Sequence, residues 1–327
     1  WRRYQHSLLA QGEYIPSDDG SETKYVISTV NIEENGRREP IPYVIPPGIR
    51  RESNFATTDY VKLNEQSLQF SIDDLQDGDA RGAYKTTEFD FRQYKKIKMF
   101  VHSEKKLEEQ VLNDNDLTVF IRVGADFTNN YYEYEIPIKV TPWGTTINQP
   151  DIIWPEDNNM EIVLDELVKV KQDRNVAMRD PNNTLSLTKP YREIHGKATI
   201  TVLGNPNISD VKGILIGVRN PKKLGFATSD DGEAKSAIIW VDELRLTDFN
   251  DSPGWATTGR VQADLADLGR VSLLASHRAA GFGTIDQKIS EIPLDYETNM
   301  QISTDMSLGK FFGKKSGIRI PMHYDYG

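Results

Sequence analysis

No cysteine occurs anywhere in the 327 residues. That excludes disulfides, thiolate metal sites and thiol nucleophiles together, and it suits both the cytoplasm and Gram-negative outer-membrane proteins. No apolar run approaches the roughly 20 residues a helix needs to cross a bilayer. Transmembrane β-strands escape this exclusion, because their alternating pattern averages out in hydropathy. There is also no basic run. The formal net charge is −10 and the pI about 5.1, so nucleic acid is not an expected partner, since phosphate binding needs clustered Lys and Arg. The opening WRRYQHSLLAQG has no sustained apolar stretch of the kind a signal peptide carries. The end at MHYDYG falls inside an alternating pattern, so the chain reads as an internal piece of something longer.

What is present is mostly β-pattern. The stretch Ile238–Phe249 reads as one long strand, with Ile238 and Trp240 on one side and Ala237, Ile239 and Val241 on the other. A strand apolar on both faces is buried on both faces. Lys24–Ile32 has the same character. Ile41–Ile49 is rich in proline and is expected to be an extended connector, because proline lacks the ladder N–H. Ser67–Ile72, Tyr94–His102, Leu117–Val123, the return run Tyr132 to Val140, Ala198–Val202 and Ile214–Val218 supply further strands, with a hairpin turn at Thr128–Asn130. Met160–Val176 is the expected helix, capped by Asn158 or Asn159, with Val163, Leu167 and Val170 on one face. Residues 178–196 read as loop, and Pro16–Gly20 as a turn cluster.

The fold class expected is mainly β. It comprises a jelly-roll-like β-sandwich with one side helix, followed by antiparallel amphipathic hairpins. The boundaries are 1–56 for an N-terminal strand and connector, 57–250 for the sandwich, and 254–327 for the hairpins. In that last part Val261, Ala263 and Leu265 alternate with Arg260, Gln262 and Asp264. Val271, Leu273 and Ala275 follow, then Met300, Ile302, Thr304 and Met306, then Ile318, Ile320, Met322 and Tyr324. Aromatics sit near strand ends at Phe282, Tyr296, Phe311 and Phe312. This is the pattern of an outer-membrane barrel; a soluble meander is the plainer reading.

Several long motifs, in order, resemble one family: VNIEENGRREP (Val30–Pro40), PPGIRRE (Pro46–Glu52), NEQSL (Asn64–Leu68), YKKIKMFVHSE (Tyr94–Glu104), WVDELRLTDF (Trp240–Phe249), GWATTGRVQADLADLG (Gly254–Gly269), and LGKFF (Leu308–Phe312) followed by Ile320–Pro321. Together they are similar to the SprA/Sov family, the outer-membrane translocons of the type IX secretion system of Bacteroidetes. The resemblance implies a very large β-barrel in the lipid bilayer of the cell outer membrane that passes folded, secreted cargo proteins. It implies a periplasmic plug protein, a lateral opening where a PorV-like outer-membrane barrel protein docks, and extracellular insertions that cap the pore. On that reading the sandwich is a cap on the extracellular side and residues 254–327 are barrel wall. The alternative is a cell-surface carbohydrate-binding or adhesin sandwich.

No enzyme is expected, because no nucleophile–base pair or paired carboxylate is visible, and no catalytic or cofactor-binding residue is named. A structural calcium ion is weighed at the acidic loop, with Asp73, Asp77 and Asp79 as candidates beside Asp74; a solvated turn is the plain reading, since no calcium-loop spacing is matched. Asp242 and Glu243 interrupt a buried strand. They mark either a bulge that turns Val241 and Leu244 the same way or a sandwich edge in water, and the edge is preferred. His6, His102, His195, His277 and His323 form no metal or catalytic spacing, and each is expected at the surface or a strand edge. GFGT at Gly281 reads as a turn. Asn182–Thr184 and Asn207–Ser209 match a glycosylation pattern without weight in a bacterial chain. Tyr132 and Tyr134 share the face of Ile136 and are expected in the core. Tyr131 points the other way, with Glu133 and Glu135, and is the candidate surface contact.

Overall fold

The computed structural model describes residues 1–4, 8, 23–51, 53–54, 61–180, 182–223, 231–250, 254–283, 286–287, 293, 295–312 and 314–327. The turn cluster Pro16–Gly20, His6 and the boundary at 56/57 lie outside them. The chain divides into two units, Trp1–Phe249 and Asn250–Gly327.

The first unit contains β1 (Arg2–Arg3), β2 (Lys24–Asn31), β3 (Ser53–Asn54), β4 (Val61–Lys62), β5 (Gln66–Leu75), β6 (Ala80–Phe89) and β7 (Tyr94–Glu104). It continues with β8 (Thr118–Gly124), β9 (Tyr131–Pro137), β10 (Met160–Val163), β11 (Tyr191–His195), β12 (Ala198–Leu203), β13 (Val211–Arg219) and β14 (Lys235–Phe249). They build a seven-stranded sheet in the order β1-β6-β13-β8-β9-β12-β11 and a five-stranded sheet in the order β10-β7-β14-β5-β2, with a small β3-β4 ladder apart. Period-2 alternation turns Phe70, Met99, Val101 and Ile239 of one sheet towards Val119, Ile121, Ile136 and Ile216 of the other, and this is the main core.

Both outer faces are covered as well. On the five-stranded sheet, Val30 and Trp240 meet Ile41, Tyr43 and Val44 of the proline-rich segment and Ile153 and Trp154 of a later turn. This second apolar layer is why β14 is apolar on both sides. On the seven-stranded sheet, Leu8 packs on Ala80, Phe120 and Leu215. Every residue of β8 is buried for the same reason. The hairpin β8–β9 has the register Val123↔Tyr132, Ile121↔Tyr134, Val119↔Ile136. Its turn is closed by Asp126, whose Oδ1 accepts the N–H groups of Thr128, Asn129 and Asn130.

Four expectations need correction. The helix runs Leu164–Ala177, and Met160–Val163 forms β10 instead, with Met160↔Met99 and Ile162↔Ile97. Met160 and Ile162 bury at period 2 against the open edge of β7, and that pairing outweighs one more helical turn. Asn158 is therefore no cap; its side chain accepts from Lys139 N at 2.7 Å and donates to Lys139 O at 2.8 Å. Within 178–196, β11 pairs with β12. Residues 24–31, placed with an N-terminal connector, are a full member of the five-stranded sheet through β2 and β5. Strand β6, not singled out from the sequence, is second in its sheet.

The second unit is a four-stranded antiparallel meander: β15 (Ala256–Asp264), β16 (Gly269–Arg278), β17 (Glu297–Ser307) and β18 (Pro321–Tyr326). The last strand begins at Pro321, after Ile318 and Ile320. No closed barrel is formed among the described residues.

Candidate functional site

A cleft of about 450 Å³ opens between the inner faces of the two sheets. Its floor is apolar, with Leu68, Phe91, Ile97, Ile214, Ile216 and Val241, and Asp242, Glu243 and Arg245 stand along one wall. These three come from an irregularity in β14. Pairing with β7 slips between Asp242 and Arg245, and Glu243 takes φ +53°. The bulge reading is thus the one realised, and Asp242 is buried, at 6% exposure, rather than at an edge in water.

The bulge brings carboxylate oxygens of Glu65, Asp242 and Glu243 within 4.8 Å of one another. Sequence spacing could not reveal this, because Glu65 precedes β5 and the other two lie on β14. Asp242 Oδ2 accepts from the Tyr43 hydroxyl at 2.8 Å, which in turn accepts from Ser67 Oγ at 3.1 Å. Oδ1 accepts from Glu243 N at 2.8 Å. Burial raises the Asp242 carboxyl above its ordinary value despite these hydrogen bonds. Two internal donors already occupy the Asp242 oxygens, and Glu243 Oε2 accepts from Arg245 Nη1 at 3.4 Å.

The acidic loop does not converge. Asp73 Oδ1 accepts from Lys106 Nζ at 2.6 Å, Asp77 Oδ1 accepts from Lys223 N at 2.9 Å, and Asp79 accepts from Thr23 Oγ1, Ala80 N and Arg81 Nε. Each carboxylate serves a different local partner. Tyr131 is not a surface contact either. It is 1% exposed, with the Arg122 guanidinium 4.2 Å from its ring centroid. The face it shares with Glu133 is sealed, while Tyr132 and Tyr134 lie in the core as expected.

His102 departs from the expected surface position. It is fully buried and stacked on Trp240 at 4.0 Å. Its Nδ1 lies 2.7 Å from Ile153 O, and a carbonyl only accepts, so Nδ1 carries a proton. Nε2 stands 3.5 Å from Glu104 Oε2, and Arg38 Nη2 donates to Glu104 Oε1 at 2.5 Å. Burial opposes ionisation of Glu104, yet His102 and Arg38 together hold its carboxyl below the ordinary 4.5. The unfolded chain then binds the more protons between the folded value and 4.5. This contribution to stability is complete above that window and is lost as pH falls through the folded value. Thermal unfolding followed below about pH 5 is expected to show the loss, and Glu104→Gln is expected to flatten it; an unchanged acid limb in that variant would refute the assignment. Elsewhere His195 faces Glu193, His277 meets Thr298, and His323 meets Asp305 at 2.6 Å. Gly281 takes φ +80° in a turn, and Thr284 lies outside the described residues.

The meander has a different chemistry on each side. Its register sets Val261, Leu273, Ile302 and Tyr326 in one row, and Ala263, Val271, Thr304 and Tyr324 in the next. The intervening rows are Gln262, Ser272, Ser303, Asp325 and Asp264, Arg270, Asp305, His323. One face is mainly apolar, with Thr304 among its residues, and the other mainly polar, with Leu274 between Arg260 and Gln301; Arg270 pairs with Asp264 at 2.6 Å on the polar side. The apolar face is open, with Val261 63%, Met300 55% and Tyr326 65% exposed. Water is a poor partner for so continuous an apolar face.

Comparison with curated proteins found no match. The family comparison matched the chain over its whole length, residues 1–327. Its β-rich architecture and the motifs from Val30 onward accord with that match: the chain belongs to the SprA_N family, motility related/secretion protein.

Proposed function

We infer that this chain is part of a protein-conducting translocon of the outer membrane, with the meander as barrel wall and the sandwich as an insertion that limits access to the pore. The observation that carries the reading is the meander's open apolar face backed by a polar one. Lipid would cover the first and a wet lumen the second, and strands added at β15 and β18 would satisfy their backbone groups. Exposed aromatics at Tyr296, Phe311 and Phe312 suit the two interfaces. Family membership in secretion and motility supports the same reading. The interleaved orders β10-β7-β14-β5 and β6-β13-β8-β9 support a jelly-roll description of the sandwich, extended by β2, β1, β11 and β12. Folded cargo, a PorV-like barrel, a periplasmic plug and an extracellular position for the sandwich belong to this proposal. Its action is geometric, with no residue assigned to chemistry. The carbohydrate-binding alternative loses its platform with the burial of Tyr131.

The lack of cysteine makes the test direct. Single cysteines are placed at 261–264 and 300–305 in the full-length protein in its membrane. A water-soluble maleimide is expected to label positions 262, 264, 301, 303 and 305 and to spare 261, 263, 300 and 302. A lipid-partitioning reagent is expected to show the inverse. Apolar positions silent to both reagents would place this face in a protein core and overturn the reading.

A further inference from the structure

The inner faces of the two sheets separate at one end of the sandwich, and each sheet carries a pairing irregularity there. Strand β13 slips against β6 between Val211 and Gly213. Strand β14 slips against β7 between Asp242 and Arg245. A bulge bends its strand and raises the local twist, so bulges on both facing sheets account for the separation. The result is the cleft of about 450 Å³. Leu68, Ile214, Leu244 and Leu246 pack on the main core, yet each is only half-buried. Phe89, at the same end of β6, is 44% exposed. The core is sealed along Phe70, Val101, Val119 and Ile239 and unsealed here.

The charged residues that border the cleft are not equivalent. Asp242 accepts from Tyr43 of the layer outside the five-stranded sheet, so its carboxylate is engaged by that layer. Glu243 and Arg245 pair with each other. Lys85 differs. It lines the cleft from β6, in register with Ile214, and is exposed. Its ammonium has no hydrogen bond or ion pair among the described residues. A lysine stem covers apolar surface while its charge stays in water. Lys85 therefore sets one unpaired positive charge at the mouth of an apolar cleft. A few hundred Å³ of mostly apolar lining with one placed polar group is the form of a small-molecule site.

We propose that this cleft binds a fatty carboxylate, with the hydrocarbon chain on Leu68, Ile214, Leu244 and Leu246 and the carboxylate on Lys85. A volume of about 450 Å³ takes one chain of medium length and leaves no room for a second. Burial of the chain supplies the affinity. Lys85 supplies the preference for an anion over a neutral alcohol of the same length. The site lies wholly within the first unit, so it stands independently of the meander's role.

The test uses the full-length protein in its membrane and decanoate carrying a photoreactive diazirine. Adducts are expected on Leu68, Ile214, Leu244 or Leu246, and unlabelled decanoate is expected to displace them. Decanol is the neutral competitor of equal length. The ratio of decanoate to decanol potency is expected to fall about threefold to fivefold in Lys85→Gln, the scale of one exposed ion pair. Lys85→Arg is expected to keep the ratio. Both variants change an exposed side chain, so folding is expected to survive them. The proposal is overturned if no adduct maps to the cleft, or if Lys85→Gln leaves the ratio unchanged. It is equally overturned if a photoreactive two-chain phosphatidylglycerol labels the cleft as readily as the decanoate probe, since the occupant would then be a bilayer lipid.

Discussion

Replacing Glu133 by glutamine is expected to destabilise the sandwich by about 3–5 kcal/mol, one of the largest losses from a single conservative change. Glu133 is 1% exposed and lies between two guanidinium groups. Arg122 Nε reaches its Oε2 at 2.5 Å and Arg219 Nη2 its Oε1 at 3.1 Å. Burial alone would push the Glu133 carboxyl up; Arg122 and Arg219 reverse this and hold it below the usual range. Arginine does not deprotonate in proteins, so a neutral side chain at 133 leaves positive charge buried without its partner. Glu135 is the informative contrast. It pairs with the same Arg219, but burial keeps its carboxyl above the ordinary value, and Arg219 would keep Glu133 as a partner in its absence, so Glu135→Gln is expected to cost less. Denaturant unfolding of the three proteins measures the order. Replacing Arg122 and Glu133 together by methionine and leucine is expected to recover only part of the loss, because Arg219 keeps Glu135 alone as its partner and Leu8 O and Phe127 O lose their donor. A Glu133→Gln protein within about 1 kcal/mol of wild type would show that the network does not hold the sheet's outer layer.

Trp240→Ala is the second large effect, expected at about 3–5 kcal/mol for loss of a fully buried indole. The ring stacks on His102, lies 5.8 Å from Tyr43 and 6.1 Å from Trp154, and has Arg38 5.4 Å from its centroid. Its Nε1 donates to Gln69 Oε1 at 3.0 Å. His102 and Gln69 belong to β7 and β5, while Tyr43, Trp154 and Arg38 come from the layer outside the five-stranded sheet, so the void is expected to loosen Ile41–Val44 and Trp154, whose Nε1 is held by Val44 O at 2.8 Å. Trp240→Phe keeps a ring on His102 but loses the hydrogen bond, and is expected to fall between. Unfolding monitored by the emission of the remaining tryptophans reads both variants. If Trp240→Ala left the unfolding midpoint unchanged, the outer layer would be separable from the cooperative core.

The two predictions concern the same architectural fact from opposite sides, and the sequence announced only one of them. In β14 both faces are apolar, so its double burial could be read directly. In β9 the outward face is Tyr131, Glu133 and Glu135, which has the composition of a wetted surface. Burial there depends on Arg122, Arg219 and Leu8 arriving from three other places in the chain. Composition along one strand cannot report that.

The same division runs through the candidate sites. Asp73, Asp77 and Asp79 are neighbours in sequence but each finds its own donor, so proximity along the chain overstated their relation. Glu65 and Asp242 are far apart in sequence and close in space, because β14 pairs with β5 and then bulges. The bulge itself left a trace in the pattern, as two acidic residues inside a buried strand. Whether those residues sat in water or in a cleft was set by which strands lay beside them.

By itself, the sequence determined the β-rich class, the β8–β9 hairpin, the two-sided burial of β14 and the alternation of the last four strands. Each of these is a period-2 pattern, written residue by residue and needing no distant partner to be read. Only the tertiary structure decided the start of the helix, the membership of β2, β6 and β11 in the sheets, the burial of His102 and Tyr131, and the packing of Leu8. Those depend on long-range pairing, where an open edge or a covering segment changes what a residue meets, and a local pattern carries no information about a partner a hundred residues away.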